Sequence, residues 1–211
     1  MSFIKCISAA GRALLLLVIF KGKSVQQQWF SLQLQGYDSW KFESTDNRWT
    51  TDATALEWLK TVFTPQTAPH DPKEPRLLIL DRHRSHETDG FMWECFQNNI
   101  HLLFLPPHTS HVLQPLDLSV FSLLKHAYRK RLGMLALLND STPIGKQNFL
   151  KCYKLARIDA LTALNCKQGW SASGLWPVRM SKPLMNRLLL ENSNKLDDTP
   201  LKTLGEVLVP E

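Results

Sequence analysis

The chain lacks three things that would each define a class of protein: a long apolar run, paired cysteines, and enough acid to balance its bases. The apolar stretch Ala13–Phe20 falls far short of the roughly 20 residues that a membrane-spanning helix needs. Lys21-Gly22-Lys23 follows it where a secretion signal would place a small-residue cleavage site, so the stretch reads as one strand of a hairpin turning at Ala10-Gly11. The four cysteines (Cys6, Cys95, Cys152, Cys166) show neither close pairing nor metal-finger spacing, which excludes a disulfide scaffold and a zinc finger and leaves reduced intracellular thiols as the expectation. Against 25 lysines and arginines stand 19 acids, and the net charge of +6 favours an acidic partner such as nucleic acid. There is no internal repeat. Arg129-Lys130-Arg131 is a short basic run on a helix, the usual composition of a solvated face and no convincing nuclear import signal.

What remains is a chain of 211 residues, enough for one domain with a real core. Its informative stretch runs from Leu77 to Leu132. Leu77-Leu78-Ile79-Leu80 is an unbroken apolar run, expected to be a strand buried on both faces, and it ends on Asp81. Phe91, Met92, Cys95 and Phe96 recur at helical spacing on one expected face, with Thr88 or Asp89 available as cap. Ile100–Leu105 is a second buried strand, stopped by Pro106-Pro107. Pro115 suits the first turn of a helix, Asp117 falls in that turn, and the helix runs through Val120, Phe121 and Leu124 to the basic end Lys125–Arg131. Asp81 thus closes a strand at its carboxyl end, where open α/β sheets bind ligands, and Asp117 opens the helix that follows the neighbouring strand. If the two strands are parallel neighbours, the two carboxylates can share a hard divalent cation such as Mg²⁺. The plainer alternative makes Asp81 a turn residue and Asp117 a partner of the helix dipole.

Asp81-Arg82-His83-Arg84-Ser85-His86, the string Leu105-Pro106-Pro107-His108-Thr109-Ser110-His111-Val112-Leu113-Gln114-Pro115-Leu116-Asp117, and then Phe121 and Lys125 closely resemble the catalytic core of pogo-like transposases of the mariner superfamily, a DDE-type endonuclease domain. Thirty-five residues separate the two acids, within that family's usual spacing. Ser8–Arg12 before Leu14–Lys21, Trp49-Thr50 before Ala53–Phe63, and Gly169-Trp170 with Ser173–Val178 extend the resemblance over most of the chain.

The resemblance implies an α/β fold: a ribonuclease H-like mixed sheet flanked by helices, lacking its first, central strand, with a helical C-terminal part. Residues 1–180 would form this partial endonuclease domain and residues 181–211 a partly disordered extension. It implies two-metal phosphodiester chemistry with Mg²⁺ or Mn²⁺ held by three carboxylates, of which Asp81 and Asp117 match two. The first acid belongs to a strand upstream of the hairpin, so the chain is expected to be a transposase fragment that binds DNA without cleaving it alone. Without that strand, the hairpin either pairs directly with Arg76–Leu80, stays loose, or receives a strand from another chain. DNA contacts would fall to Arg82, His83, Arg84, His86, His108, His111 and Lys125, in the nucleus, with DNA and a second transposase chain as partners and no membrane or small-molecule cofactor. Arg82, Arg84 and Arg48 stand where glycine, or for Arg82 glycine or asparagine, is common in the family; this implies strained backbone at these positions or, for Arg82 and Arg84, phosphate contacts. Three rival readings remain: an active nuclease with a substitute ligand, a domesticated DNA-binding or interaction scaffold, and a zinc site made of His83, His86, His108 and His111.

The rest of the chain is read more briefly. Gly22–Thr51 is an irregular connection with one short strand, and its aromatics (Trp29, Phe30, Tyr37, Trp40, Phe42, Trp49) are core cover before they are base-stacking platforms. Asp52–Phe63 is an amphipathic helix with Ala55, Leu56, Leu59, Val62 and Phe63 inward, and Thr64–Pro75 is a surface connection. Gly133–Gly145 breaks the chain, Gln147–Leu164 is a further helix with Leu164 inward, and Leu184–Leu190 is a last short helical candidate.

Overall fold

The computed structural model describes residues 1–30, 37, 40–47, 50–81, 88–138 and 145–185. Strand β1 (Ser2–Ile4) pairs antiparallel with β2 (Leu17–Lys21), Phe3 opposite Val18. An Ile7–Ala13 bridge and a turn with Gly11 at φ +94° close the hairpin. A Cβ at Gly11 would be strained there and would also meet the Ala163 carbonyl at 2.8 Å, so the turn takes the one residue without a side chain. Strand β3 (Lys41–Thr45) lies parallel to β2 on its other side and is the single strand expected within Gly22–Thr51.

Helix α1 (Asp52–Trp58) is capped by the Thr51 hydroxyl, which accepts from the Thr54 N–H, and runs through a π-helical turn, Leu59–Phe63, into α2 (Thr64–Gln66). Strand β4 (Arg76–Leu80), helix α3 (Asp89–Gln97) and strand β5 (Ile100–Phe104) form a β-α-β unit whose parallel strands end level, Leu80 beside Phe104. The Thr88 hydroxyl caps α3 by accepting from the Phe91 N–H. Arg76 fixes the start of β4, donating to the carbonyl oxygens of Thr64 (3.1 Å) and Asn98 (2.6 Å). The chain then forms α4 (Ser110–Leu113), a π-helical turn Leu116–Val120, α5 (Phe121–Leu138), α6 (Lys146–Ala160), α7 (Ala163–Ser173) and α8 (Ser181–Leu184).

The architecture is mixed α/β, as the sequence indicates, but its strands form two sheets, β1-β2-β3 and β4-β5. Among the described residues the hairpin does not pair with β4. Apolar packing joins the sheets instead. One face of β2 (Leu17, Ile19) shares a core with α1, the π-helical turn after it, α3, β4 and β5; the other (Leu16, Val18, Phe20) packs with Trp29, Trp40, α5 and α6. The aromatics of the connection, Trp29, Phe30, Tyr37, Trp40 and Phe42, belong to that second core, so they are cover. Trp49 lies outside the described residues.

Several expectations need correction. Leu77 is 59% exposed and Leu103 42%, so β4 is covered on one face only. A two-stranded sheet has room for the α1–α3 layer on one side, and the described helices leave part of its other side open. On α3 the buried stripe is Phe91 and Cys95, whereas Met92 and Phe96 face outward, because the helix lies on one narrow contact line. Helix α5 continues past Gly133, an exposed position where glycine costs a helix only about 1 kcal/mol. The expected single helix Gln147–Leu164 is two, broken at Leu161-Thr162, and Leu164 is exposed as the new helix begins. Of the last expected helix only Leu184 and Met185 lie within the described residues, and of the expected extension from residue 181 only the first five.

One close approach fixes how the C-terminal helices sit. A Cβ added at Gly169 in α7 would collide with the Pro115 carbonyl oxygen and come within 3.1 Å of its carbonyl carbon. Gly169→Ala must therefore push α7 off the turn that carries Asp117, and we expect a loss of about 1–3 kcal/mol in urea unfolding, with Gly133→Ala as a control that does not destabilise.

Candidate functional site

Asp81 follows the last residue of β4, and the Leu105 N–H donates to the Leu80 carbonyl (2.8 Å), carrying the ladder to the point where Asp81 emerges. After β5 the chain turns at Pro106–Thr109, where the Thr109 hydroxyl donates to the Pro106 carbonyl (2.7 Å) and His108 takes a left-handed conformation (φ 61°). It then runs through α4 to Pro115, and the turn Leu116–Val120 presents Asp117. Leu116 and Val120 pack on Ile7 and Cys166, and the Ser119 hydroxyl donates to the Asn165 carbonyl (3.0 Å), so the hairpin and α7 hold this turn from both sides.

These placements bring the two acids into electrostatic contact. The Asp117 carboxyl is pushed above its ordinary range, first by partial desolvation and then by the negative charge of Asp81. Lys125, Lys5 and His111 pull it the other way. Lys125 and His111 were both named from the sequence, and both act on Asp117. His108 sits in the exposed turn ahead of them. Arg82, His83, Arg84 and His86 lie outside the described residues, as does Arg48; the zinc alternative depends on two of them. Among the described residues, no group of three His, Cys, Asp or Glu side chains is placed to hold a metal ion. Asp81 and Asp117 are the two carboxylates here that could hold a hard divalent cation, which would offset their like-charge conflict.

Sequence reading missed Lys5. It follows β1, and its ammonium lies 4.8 Å from the Phe121 ring centre and 5.0 Å from that of Phe3. Its pKa is lowered to about 8, mainly by burial and then by Arg157, while Asp117 opposes the shift. The available signal was a lone lysine between Ile4 and Cys6 in an otherwise apolar hairpin strand. Beside the acids, a cavity of about 250 Å³ is lined by Phe3, Ile4, Lys5, Leu80, Asp81 and Trp170, among others.

Residues 1–170 match the family described as DDE superfamily endonuclease. The chain belongs to that family. A curated relative, an "MFS-type transporter clz9" of Cochliobolus lunatus, is 35% identical over 178 residues, covering 84% of this chain and 19% of the relative. The chain thus spans about a fifth of that protein's length. No solved structure matches. Among the described residues no helix is long and apolar enough to cross a membrane.

The acid pair sets a pH dependence. A carboxyl whose folded pKa is raised binds its proton more tightly in the native state, so stability is fully present below the unfolded pKa and falls as pH rises through the folded one. Removing the charge removes that loss. Asp117→Asn should therefore gain in melting temperature relative to wild type as pH is raised from about 3 to 7 without divalent metal, the difference starting near the ordinary carboxylate pKa. A melting-temperature difference that is flat across this range would show that Asp117 carries no such strain.

Proposed function

We propose that the chain is the catalytic-domain portion of a pogo-like transposase, that it binds DNA, and that it does not cleave DNA by itself. The observation that carries this reading is the pairing of Asp81, at the end of β4, with Asp117, in the turn Leu116–Val120, where Lys125, Lys5 and His111 also act on Asp117. Two carboxylates with cations around them suit a phosphodiester held against a divalent metal. When bound, Mg²⁺ or Mn²⁺ would supply Lewis-acid stabilisation of the phosphate oxygens. Asp81 and Asp117 would hold it, and Lys125, with Arg82, Arg84, His83, His86, His108 and His111, would hold the DNA backbone. These roles fit a nuclear protein whose partner is DNA. A full set of carboxylate ligands, however, requires an acid beyond this pair, which is why activity alone is not expected. The second reading, a scaffold that keeps DNA binding without any metal, differs in what the acids do.

A nicking assay on supercoiled plasmid with Mg²⁺ or Mn²⁺ tests the first point: wild type and Asp81→Ala should both leave the plasmid closed, and cleavage that Asp81→Ala abolishes would show that the site is complete. DNA binding should weaken linearly in log–log plots against salt, as expected when phosphate contacts release counterions. Lys125→Ala should reduce that slope by about one contact. Salt-independent binding, or none, removes the DNA reading. Addition of Mg²⁺ should raise the melting temperature of wild type but not of the Asp81→Ala, Asp117→Ala double variant; an equal effect on both favours the scaffold.

A further inference from the structure

Helix α5 is basic and without an acid: Lys125, His126, Arg129, Lys130 and Arg131 lie within Phe121–Leu138, and neither Asp nor Glu does. Its inner side is set by Leu124, with Ala127 and Tyr128 packed on the second core. At about 3.6 residues per turn the outer side collects Ser122, Lys125, His126, Arg129, Lys130 and Gly133, and all six are exposed. The three-base run is therefore split. Arg131 turns toward α6 and pairs with Asp159 at 2.8 Å. Arg129 and Lys130 face outward. Among the described residues, the side chains of Lys125, His126, Arg129 and Lys130 make no hydrogen bond or ion pair.

Three observations favour the DNA backbone as what this face meets. First, the face begins at the acids. The turn Leu116–Val120 that carries Asp117 runs straight into α5, and Lys125 acts on Asp117. Second, the spacing is regular. Lys125 and Arg129, and likewise His126 and Lys130, are four residues apart, so each pair stacks about 6 Å apart along the helix axis. Ser122 to Gly133 spans about 16 Å, the length of about five base pairs of duplex. Third, no aromatic ring stands among the six exposed residues, because Phe121 and Tyr128 pack inward. The face offers charge without a platform for unstacked bases, which suits phosphates. It ends on open surface, since a Cβ at Gly133 would meet nothing within 4 Å.

We propose that the outer face of α5 is a track for the sugar–phosphate backbone of duplex DNA, with Arg129 and Lys130 as its phosphate contacts beyond Lys125. The inference rests on the DNA reading above and extends it from the acid pair to the flanking duplex. Contacts of this kind carry no base sequence.

Fluorescence anisotropy with a labelled duplex of arbitrary sequence tests it. The Arg129→Ala, Lys130→Ala double variant should bind at least about fivefold more weakly than wild type, with a log–log salt slope shallower by about two contacts. Arg131→Ala also removes one charge, but from a residue already paired, so its affinity should fall by less than about twofold. Gly133→Glu adds an acid to the row where there is room for it. It should weaken binding by at least about fivefold without lowering the melting temperature, while Gly133→Ala binds as wild type does. Unchanged affinity and slope in the double variant, with Lys125→Ala still weakening binding, would overturn the track and leave the DNA reading in place. Absence of binding by wild type would remove that reading and the track together. A single strand that binds as tightly as the duplex would overturn the track as well.

Discussion

Burial of one strand on both faces holds this protein together. Leu16 through Phe20 are 0–1% exposed, and alternate residues along the run enter different cores. Leu17 and Ile19 join the helix and strands that lead to Asp81. Leu16, Val18 and Phe20 join the aromatic connection and the helices that follow Asp117. Each fully buried side chain of this size is worth about 1.5–3 kcal/mol. The two halves of the site are thus registered against each other through apolar contact with β2.

That arrangement explains why the acid pair is strained and where it is steadied. Carboxylates that repel one another persist only if the elements carrying them cannot move apart. Asp81 is pinned by the β4–β5 ladder and by Arg76 at its far end. Asp117 is pinned by Leu116 and Val120 against Ile7 and Cys166, by Ser119 on Asn165, and by the close packing of Gly169 on Pro115. Lys5, Lys125 and His111 offset the repulsion without cancelling it. Membership of the DDE superfamily endonuclease family rests on a match over residues 1–170.

The sequence by itself determined the local elements and the identity of the acids. Runs such as Leu77–Leu80 and Ile100–Leu105, the cap at Thr88, the Gly11 turn and the Pro106-Pro107 stop are read from neighbours in the chain, because propensity and capping act over a few residues. Asp81 and Asp117 were legible for the same reason, as a strand end and a helix start. Tertiary structure decided the rest. Which face of α3 is buried, whether Leu77 meets protein or water, and whether helix breaks fall at Gly133 or at Leu161 depend on what other elements lie alongside. Lys5 could not be assigned from the sequence because its role comes from Asp117, Arg157 and Lys125, all more than one hundred residues away along the chain. Burial and electrostatic coupling are properties of neighbours in space, and only the folded chain supplies those.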